Sequence, residues 1–595
     1  MKRARRHATW SWRVALPVAL AAVVVTAISA GATQARPSPG VKGPKFTDAA
    51  AFDVSKPLRD LVKNQKPSKK TLPPATGKDT DSEPSVEVSA WSAFLSTSAT
   101  LSAAMAPRAA NAQQALTIDA PMANFEGLSN QDNFDLFGFR VNPPDTVGDV
   151  GPNHYVEMIN LVYGIYSKTG TLLLGPVDTG TLWSDFAVED CTDPSGDPIV
   201  LYDQFADRWI LSQFTTRFTP DPQNDVFYEC IAISQTGDPT GAYYRYAFTT
   251  GNFFPDYPKL GVWKDSYVIT TREFGPTVEY GIGVYALDRN KMINGEPARS
   301  VGFFIDGNDE ALLPLVGDGL LPADIDGKQK PKQAATIPLV GTQDDGGGYG
   351  ATFDALNIWD LDVHWNSRPD ASLELAAQLP VSSFDSIFPC APTSRDCLPQ
   401  PGITNPAQYL DILSYRQRPT HRLAYRNFKS YEAMVTNQSV EAAPGVAGVR
   451  WYEIRRDGSG AYSLYQQGTY APGDGVHRWM GSIAQDKQGN MGLGYSVVNG
   501  VDVYPGIRYT GRLAGDTLGQ MTLGEGTIID GSGVQTTTNS RWGDYTSMNV
   551  DPVDDCTFWY ANEYYEVSGF PVDPNAPTTA PWQTRIASFK LPGCK

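Results

Sequence analysis

The chain has 595 residues, 19% of them charged, and a formal net charge of −17 at pH 7. A surface this acidic repels the phosphate backbone of nucleic acids, which excludes nucleic acid as an expected partner. The whole chain contains five histidines, so a histidine-rich metal site is excluded and no metal site is predicted.

The first 35 residues have the pattern of an export signal. Four basic residues stand among the first six, an apolar run follows over 14–28, and small residues near 30–35 provide cleavage sites. We therefore expect 1–35 to be a signal peptide and the mature chain to be secreted, extracellular and without stable membrane insertion. An uncleaved membrane anchor is the alternative, although the run is short and rich in alanine for a membrane span.

Residues 36–118 are rich in Pro, Ala, Ser, Thr and Lys, and they contain few aromatic residues. A segment of this composition cannot bury enough apolar area to offset the entropy lost on ordering. We predict a disordered stalk or pro-segment here, with a short helix at 91–105 as its one candidate element.

From 119 to 595 the sequence becomes aromatic and strand-like. Apolar and polar residues alternate in short runs joined by Asp, Gly and Asn turns, which is typical of antiparallel hairpins. Clear copies of the hairpin module lie at 258–271, 477–496 and 540–563. A hairpin module that recurs with variable insertions predicts an all-β fold of the propeller class.

The second strands of these modules give the number of blades. They are expected near Tyr155, Trp209, Tyr267, Ile337, Met434, Met491 and Phe558. We predict a seven-bladed β-propeller in which one blade combines early and late strands, because such a blade removes the open sheet edges. Six or eight blades, or two packed β-sandwiches, are the alternatives.

Three strings in this region also suggest a family. They are 143–156, which opens the repeats, His421–Phe428 before the fifth module, and Ser540–Tyr545 before the seventh. Their combination resembles a group of large exported bacterial β-propeller proteins of uncharacterised role. The resemblance implies a propeller fold and an extracellular location, and it transfers no catalytic residues. Likeness to sialidase-type propellers is looser, since no intact Ser-x-Asp-x-Gly-x-x-Trp box occurs.

Six cysteines form an even set, which predicts disulfides in an oxidising compartment. Fifteen pairings are formally allowed. We favour the sequential pairs Cys191–Cys230, Cys390–Cys397 and Cys556–Cys594. Zinc binding is the competing interpretation, and the absence of a Cys-x-x-Cys pair argues against it.

Charged residues recur near the first strands of the last three modules and make the candidate ligand site. Arg426, Arg478, Arg541 and Asp544 are predicted to converge at one mouth of the channel and to contact an anionic or polyhydroxylated ligand. Arginine suits this role because its guanidinium donates two parallel hydrogen bonds to a carboxylate or sulfate. The alternative is structural, since Asp side chains also cap turns and lock neighbouring blades.

No cofactor is predicted, although acidic turns offer oxygen ligands for a structural calcium ion. The two candidate turns are 551–555 and 324–327. Neither 551 nor 324 begins a loop closed by glutamate at the twelfth position, as an EF-hand requires. Solvated acidic turns are therefore the competing interpretation.

Motifs for several enzyme classes are missing, namely the Gly-Lys-Ser/Thr phosphate loop, the Gly-x-Ser-x-Gly elbow and the His-Glu-x-x-His helix. The favoured function is a non-catalytic extracellular module that binds a glycan or a protein through the propeller funnel. A glycoside hydrolase or polysaccharide lyase with an arginine–carboxylate cluster is the alternative, and a surface scaffold is the third. An enzyme of the hydrolase class should pair two carboxylates about 5 to 10 Å apart.

Overall fold

A computed structural model describes residues 40–64, 118–276, 280–332, 334–386, 396–412, 417–537, 540–569 and 580–595. The expected signal peptide lies outside the described residues. The described chain is mainly β-strand, with short α-helices at Leu58–Leu61, Asn130–Phe137, Arg289–Ile293 and Leu313–Val316. Short 3₁₀ helices lie at Val62–Asn64, Thr179–Trp183, Glu189–Thr192, Pro222–Asn224 and Pro406–Gln408. Among these residues no helix combines the length and apolarity needed to span a membrane.

Three strands precede the first complete sheet: β1 (Val41–Asp48), β2 (Ala51–Val54) and β3 (Ala123–Ser129). The sheets that follow are called blades 1 to 7. Blade 1 contains β4 (Val147–Val150), β5 (His154–Ile159), β6 (Val162–Ser167) and β7 (Leu172–Asp178). Blade 2 contains β8 (Ile199–Asp203), β9 (Arg208–Phe214), β10 (Phe227–Ser234) and β11 (Tyr243–Gly251). Blade 3 contains β12 (Phe254–Val262), β13 (Ser266–Phe274), β14 (Gly281–Asp288) and β15 (Arg299–Asp306).

The later blades repeat this order. Blade 4 contains β16 (Leu321–Asp326), β17 (Ile337–Gln343), β18 (Ala355–His364) and β19 (Asp370–Pro380), and a separate pair, β20 (Asp396–Leu398) and β21 (Leu410–Asp411), follows it. Blade 5 contains β22 (Thr420–Asn427), β23 (Glu432–Ala443), β24 (Val446–Arg456) and β25 (Tyr462–Tyr470). Blade 6 contains β26 (His477–Gln485), β27 (Met491–Val498), β28 (Gly506–Arg512) and β29 (Glu525–Ile529). Blade 7 contains β30 (Ser547–Val550), β31 (Thr557–Tyr564), β32 (Gln583–Lys590) and the early strand β3.

The first strand of every blade lies on the inside, and the inner strands form a closed ring. β4 neighbours β8, and the series continues through β12, β16, β22 and β26 to β30, which neighbours β4 again. β16 and β22 pair directly as parallel strands. The predicted seven-bladed β-propeller is thereby confirmed, and every second strand lies where the sequence placed it.

Blade 7 closes the ring with strands from both parts of the chain. β3 pairs antiparallel with β32, with Ala123 opposite Ser588 and Phe125 opposite Ile586. This pairing confirms the predicted blade of early and late strands, in which β3 covers the outer edge of β32.

The apolar cores lie between neighbouring blades. One cluster joins Val156 of blade 1, Ile210 of blade 2 and Tyr267 of blade 3. Another joins Leu493 of blade 6 to Phe558 of blade 7. Because each blade is covered on both faces, many of its strands read as nearly continuous apolar runs rather than as alternating ones. This stacking of blades differs from the alternative of two packed β-sandwiches.

The predicted disorder of 36–118 is wrong for residues 40–64, while 65–117 lie outside the described residues. β1 pairs antiparallel with β15 as a fifth strand of blade 3, and β2 pairs with β11 of blade 2. β1 leaves most of its side chains exposed, so its composition carries little apolar signal. Its order comes from backbone hydrogen bonds to the free edge of an outer strand, which composition does not report.

Two of the predicted disulfides are present. Cys191 and Cys230 bond with their Cα atoms 5.9 Å apart, and Cys556 and Cys594 bond with their Cα atoms 5.7 Å apart. Cys390 lies outside the described residues, so its pairing with Cys397 stays a prediction.

Candidate functional site

The inner strands run in parallel, so the channel has an entry end, where these strands begin, and an exit end, where they finish. Hydrogen bonds between neighbouring inner strands join residues of the same end. The Asp149 carboxylate accepts from the Tyr202 backbone N–H at 2.7 Å, and the Asp324 carboxylate accepts from the Val262 N–H at 3.0 Å. All four residues lie in the second half of their strands.

The four residues predicted from the sequence do not meet at one mouth. Arg426 is the second-last residue of β22 and lies at the exit end. Arg478 is the second residue of β26, and Arg541 and Asp544 precede β30, so these three lie toward the entry end. The predicted convergence is wrong because radial symmetry brings together only residues at the same height along their strands.

Each of these arginines contacts a carboxylate of its surroundings. The pairs are Arg426 with Asp555 (2.7 Å), Arg478 with Asp474 and Glu525 (2.8 Å each), and Arg541 with Asp544. The hydrogen bond from Arg478 holds the pKa of Asp474 down, at about 2. These contacts fix loops and outer strands, which is the structural role that the sequence allowed, and a ligand at these residues stays a prediction.

A buried arginine links the inner strands of three blades. Arg422 of β22 is 2% exposed. Its guanidinium lies 2.9 Å from the Asp324 carboxylate and 2.6 Å from that of Asp326, and its Nε donates to the Met548 carbonyl of β30 at 3.2 Å. Burial raises the pKa of the nearby Asp149 carboxyl to about 8, and Arg422 partly opposes that rise. The cluster ties blades 4, 5 and 7 together.

The entry end holds a narrow cleft with a volume of about 10 Å³, which is roughly the space of one water molecule. Blade 3 and the loops before blades 4 and 5 form its walls. The lining residues are Tyr257, Lys259, Thr270, Thr271, Arg272, Gly319, Leu320, Leu321, Arg418 and Pro419.

Two arginines of this cleft converge on one carboxylate. Arg272 Nε lies 3.1 Å from one oxygen of Asp318, and an Arg418 terminal nitrogen lies 3.0 Å from the other. The Tyr349 hydroxyl donates to the same carboxylate at 3.0 Å. Two guanidinium groups and a hydroxyl thus surround one carboxylate, and together they can bind a carboxylate group of a ligand.

Asp318 is flanked by two glycines whose backbone conformations other residues rarely adopt. Gly317 has φ 53° and Gly319 has φ 152°, both in the region that favours glycine. The Tyr280 hydroxyl donates to the Gly317 carbonyl at 2.7 Å, and the Asp318 N–H donates to the Gln417 carbonyl at 3.1 Å. The loop backbone is thus held at several points, while the Asp318 side chain extends to the arginines.

Aromatic rings form the walls around the two arginines. The Arg272 guanidinium carbon lies 5.2 Å from the Phe274 ring centre and 5.5 Å from that of Tyr280. The Arg418 guanidinium carbon lies 3.7 Å from the ring centre of Tyr257. Ring faces against guanidinium planes orient the arginines, and they add apolar surface to a site that is otherwise charged.

Lys259 lies at the bottom of the cleft and is 3% exposed. Its Nζ is 2.9 Å from the ring centre of Tyr257 and 3.8 Å from that of Tyr545, which comes from the loop before blade 7. Among the described residues, no carboxylate lies within 4.0 Å of this amine. Burial, and then the charge of Arg418, lower the pKa of Lys259 well below its ordinary value.

Sequence reasoning missed Lys259, Arg272 and Arg418. A signal existed for Lys259, because a lysine directly before Leu-Gly-Val in an inner strand is an unusual charge within an apolar run. Arg418 stands in a loop before β22 and Arg272 near the end of β13. These two residues come close together only because of how the loops before β16 and β22 are placed. The periodicity of the strands does not predict the placement of loops.

The acidic turns proposed for calcium contain carboxylates that already contact basic side chains. The pairs are Asp324 and Asp326 with Arg422, Asp551 with Lys168, Asp554 with Lys590, and Asp555 with Arg426. Elsewhere in the described chain, Asp344, Asp345 and Asp354 come close enough to share an ion. Asp344 accepts from the Gly346 N–H and Asp354 from the Asp345 N–H, which is turn geometry.

No protein-family model and no curated protein matches this chain. Solved structures with a partial likeness include the α-L-arabinofuranosidase Arb93A of Fusarium graminearum in complex with an iminosugar inhibitor. That match has 11% identity and a TM-score of 0.33, and it covers 65% of this chain and 90% of the other. The endo-arabinase of Bacteroides thetaiotaomicron has 13% identity and a TM-score of 0.25, over 55% and 95%. A subtype N10 neuraminidase-like protein of a bat influenza virus has 8% identity and a TM-score of 0.28, over 59% and 90%. Likenesses of this size assign no activity to the chain.

Proposed function

We propose that the protein is an extracellular binding module that holds a carboxylate-bearing glycan in the entry-end cleft. The observation that carries this proposal is the convergence of Arg272, Arg418 and the Tyr349 hydroxyl on the Asp318 carboxylate. We expect the carboxylate of an acidic sugar to take the place of the Asp318 carboxylate between the two guanidinium groups. A paired guanidinium site favours a planar anion over a neutral hydroxyl group.

The apolar part of the cleft lining supports a sugar as the rest of the ligand. Tyr257, Leu320, Leu321 and Pro419 provide this surface, while Phe274 and Tyr280 lie outside the lining and pack against Arg272. Small-molecule sites commonly combine such apolar walls with a few converging polar groups that fix the ligand's orientation. Two disulfides and the expected signal peptide support an extracellular location, where such glycans occur.

Binding is favoured over glycan hydrolysis by the composition of the lining. Hydrolysis of a glycosidic bond uses two carboxyl groups about 5 to 10 Å apart. The described lining residues include no Asp or Glu, and the adjacent Asp318 is held by two arginines.

The test is binding of an oligogalacturonate and its methyl ester to the mature chain, measured by calorimetry. The free acid is expected to bind at least ten-fold more tightly than the ester, because esterification removes the charge. Arg272→Gln should lower affinity for the acid about ten-fold and leave the ester unaffected, since one charge-assisted contact is worth about 1.4 kcal/mol or more.

Arg217→Gln is the matched control. Arg217 lies on the exposed β9–β10 loop, where it pairs with Asp190 at 2.8 Å and Asp193 at 2.7 Å, and its loss should leave binding unchanged. Equal affinity for acid and ester, or an unaffected Arg272→Gln variant, contradicts the proposed function.

Replacing the internal carboxylate gives a second prediction. Asp318→Asn should bind the oligogalacturonate more tightly, by about ten-fold, because the ligand no longer competes with a resident anion for Arg272 and Arg418. Asp306→Asn, which removes a pair with the exposed Lys42, is the control and should not change affinity. Weaker binding by Asp318→Asn in the same calorimetric assay would show that this carboxylate only positions the arginines.

A further inference from the structure

We infer that the loop between β17 and β18 binds a calcium ion together with a glutamine from the segment before β22. The protein ligands are the carboxylates of Asp344, Asp345 and Asp354 and the side-chain oxygen of Gln417. This site differs from the two acidic turns that the sequence suggested for calcium. It goes beyond the proposed function and does not depend on it.

The three aspartates are placed to share one ion. One carboxylate oxygen from each of Asp344, Asp345 and Asp354 lies within 4.8 Å of the other two. Oxygens that bind one calcium ion at about 2.3–2.6 Å are separated by at most about 5 Å, so these three oxygens fit a shared ion. Asp344 and Asp354 are buried and Asp345 is exposed, so the cluster reaches the surface at Asp345.

The charges of the two buried carboxylates are not balanced by the protein. Among the described residues, no basic side chain lies within 4.0 Å of Asp344 or Asp354. The Gly346 N–H donates to one oxygen of Asp344 at 2.7 Å, and the Ser386 N–H donates to the other at 2.9 Å. The Phe384 N–H donates to Asp354 at 2.8 Å. These donors are neutral, so they orient the carboxylates without cancelling their charge, and adjacent buried carboxylates require a cation.

A buried glutamine side chain without a partner is the second observation that points to an ion. Gln417 is 1% exposed, and neither its side-chain oxygen nor its side-chain nitrogen has a hydrogen-bond partner in the described part of the chain. Native proteins leave few buried amides in this state. An atom at the Cβ position of Gly347 would lie 1.8 Å from Gln417 Oε1 and 3.1 Å from the Asp344 carbonyl oxygen. The amide oxygen thus reaches into the aspartate loop, where a cation would satisfy it.

Hydrogen bonds tie the main chain of Gln417 to the same aspartate. The Gln417 N–H donates to the Ser386 hydroxyl at 3.0 Å. That hydroxyl donates in turn to the Asp344 carboxylate at 2.5 Å. A single hydroxyl therefore separates the Gln417 backbone from the carboxylate, so the amide and the aspartates belong to one site.

The types of ligand select calcium. Carboxylates and an amide carbonyl are hard oxygen ligands, and the set lacks the nitrogen and sulfur that zinc and copper prefer. Calcium accepts about six to eight oxygens in flexible geometry, so four protein oxygens and water can complete its shell, whereas magnesium demands a near-ideal octahedron. A bound ion would join the loop that carries Tyr349 to the segment that carries Arg418. It would thereby fix two of the groups that contact Asp318.

Calorimetric titration of calcium chloride into the chelator-treated mature chain tests the site. The native chain should bind calcium with a Kd of about 1 mM or tighter, as extracellular calcium sites do, and should bind magnesium at least about ten-fold more weakly. Asp345→Asn should weaken calcium binding at least about ten-fold, because it removes one of the three ligand charges.

Gln417→Met tests the second observation. Methionine keeps the length of the side chain without its oxygen, so this variant should also bind calcium about ten-fold more weakly. Its melting temperature in the absence of calcium should not fall below that of the native chain, because the amide has no other hydrogen bond to lose.

Asp457→Asn is the matched control. Asp457 lies in an exposed turn between β24 and β25, where it accepts from the Ser459 N–H at 2.8 Å, and its replacement removes the same charge without changing calcium affinity. Absence of calcium binding by the native chain, unchanged affinity in Asp345→Asn or Gln417→Met, or an equal loss in Asp457→Asn overturns the inference. No glycan is present in this titration, so its failure leaves the proposed function standing, and failure of the oligogalacturonate assay leaves the calcium site standing.

Discussion

Replacing Arg422 by glutamine is expected to lower the free energy of unfolding by about 3–5 kcal/mol. The guanidinium neutralises Asp324 and Asp326 and contacts the Met548 carbonyl across the channel. Without it, two carboxylates stay buried beside Asp149 with no cation, which costs far more than the loss of an exposed pair. Urea unfolding of the variant and the native chain at pH 8 measures the difference.

Arg217→Gln provides the comparison, since that side chain is 42% exposed and its loss should change stability by less than about 1 kcal/mol. The loss of unfolding free energy in the Arg422→Gln variant should be smaller at pH 5, because the carboxyl groups left without a cation take up protons there. A loss below about 1 kcal/mol at pH 8 would show that the cluster contributes little to closure of the ring.

The free energy of unfolding is expected to fall as the pH rises from about 5 to 8. Burial raises the pKa of Asp149, Glu157 and Glu273 to about 8 each. Such a carboxyl binds its proton more tightly in the folded chain than in the unfolded one, where the ordinary values are 3.8 and 4.5. Its stabilising effect is therefore complete below the unfolded pKa and is lost as the pH rises through the folded one.

Glu157→Gln isolates one of these groups. The Glu157 carboxylate accepts from the Leu128 N–H at 2.7 Å, and a glutamine oxygen can accept the same bond without charge. Urea unfolding at pH 5 and pH 8 should show a smaller fall for this variant, which becomes more stable than the native chain at pH 8. Below about pH 4 the trend reverses, because Asp474 and Asp554, with their pKa held at about 2, lose their stabilising contacts there. Stability that increases between pH 5 and 8 would contradict this assignment.

The sequence predicted the propeller well because the same hairpin pattern recurs in every blade. Trp209, Tyr267 and Met434 mark second strands correctly, since each blade repeats the same hairpins joined by the same kinds of turn. The strands β1 and β2 escaped prediction because β1 is mostly exposed and β2 is short and only half-buried. Their partners are outer edges of blades far along the chain, and no local pattern encodes that pairing.

The candidate site was predicted poorly because the positions of its residues depend on loops that differ in length from blade to blade. Arg426 and Arg422 lie four residues apart on one strand, yet the first contacts Asp555 while the second contacts Asp326 and the Met548 carbonyl. A difference of four residues along the strand decides between these roles, and sequence spacing between blades does not fix the height of a residue along the channel. Lys259 was overlooked although its charge is unusual within the apolar run of an inner strand.

Closure of blade 7 by β3 and β32 makes completion of the fold depend on a contact between segments far apart in the chain. β3 lies at Ala123–Ser129, and its partner β32 ends at Lys590, so β3 stays unpaired until β32 has been made. Contacts of such long sequence separation form slowly, because the entropy of closing the loop must be overcome first. A chain truncated before β32 would expose the edges of β3 and β31 together, and unpaired strand edges promote aggregation.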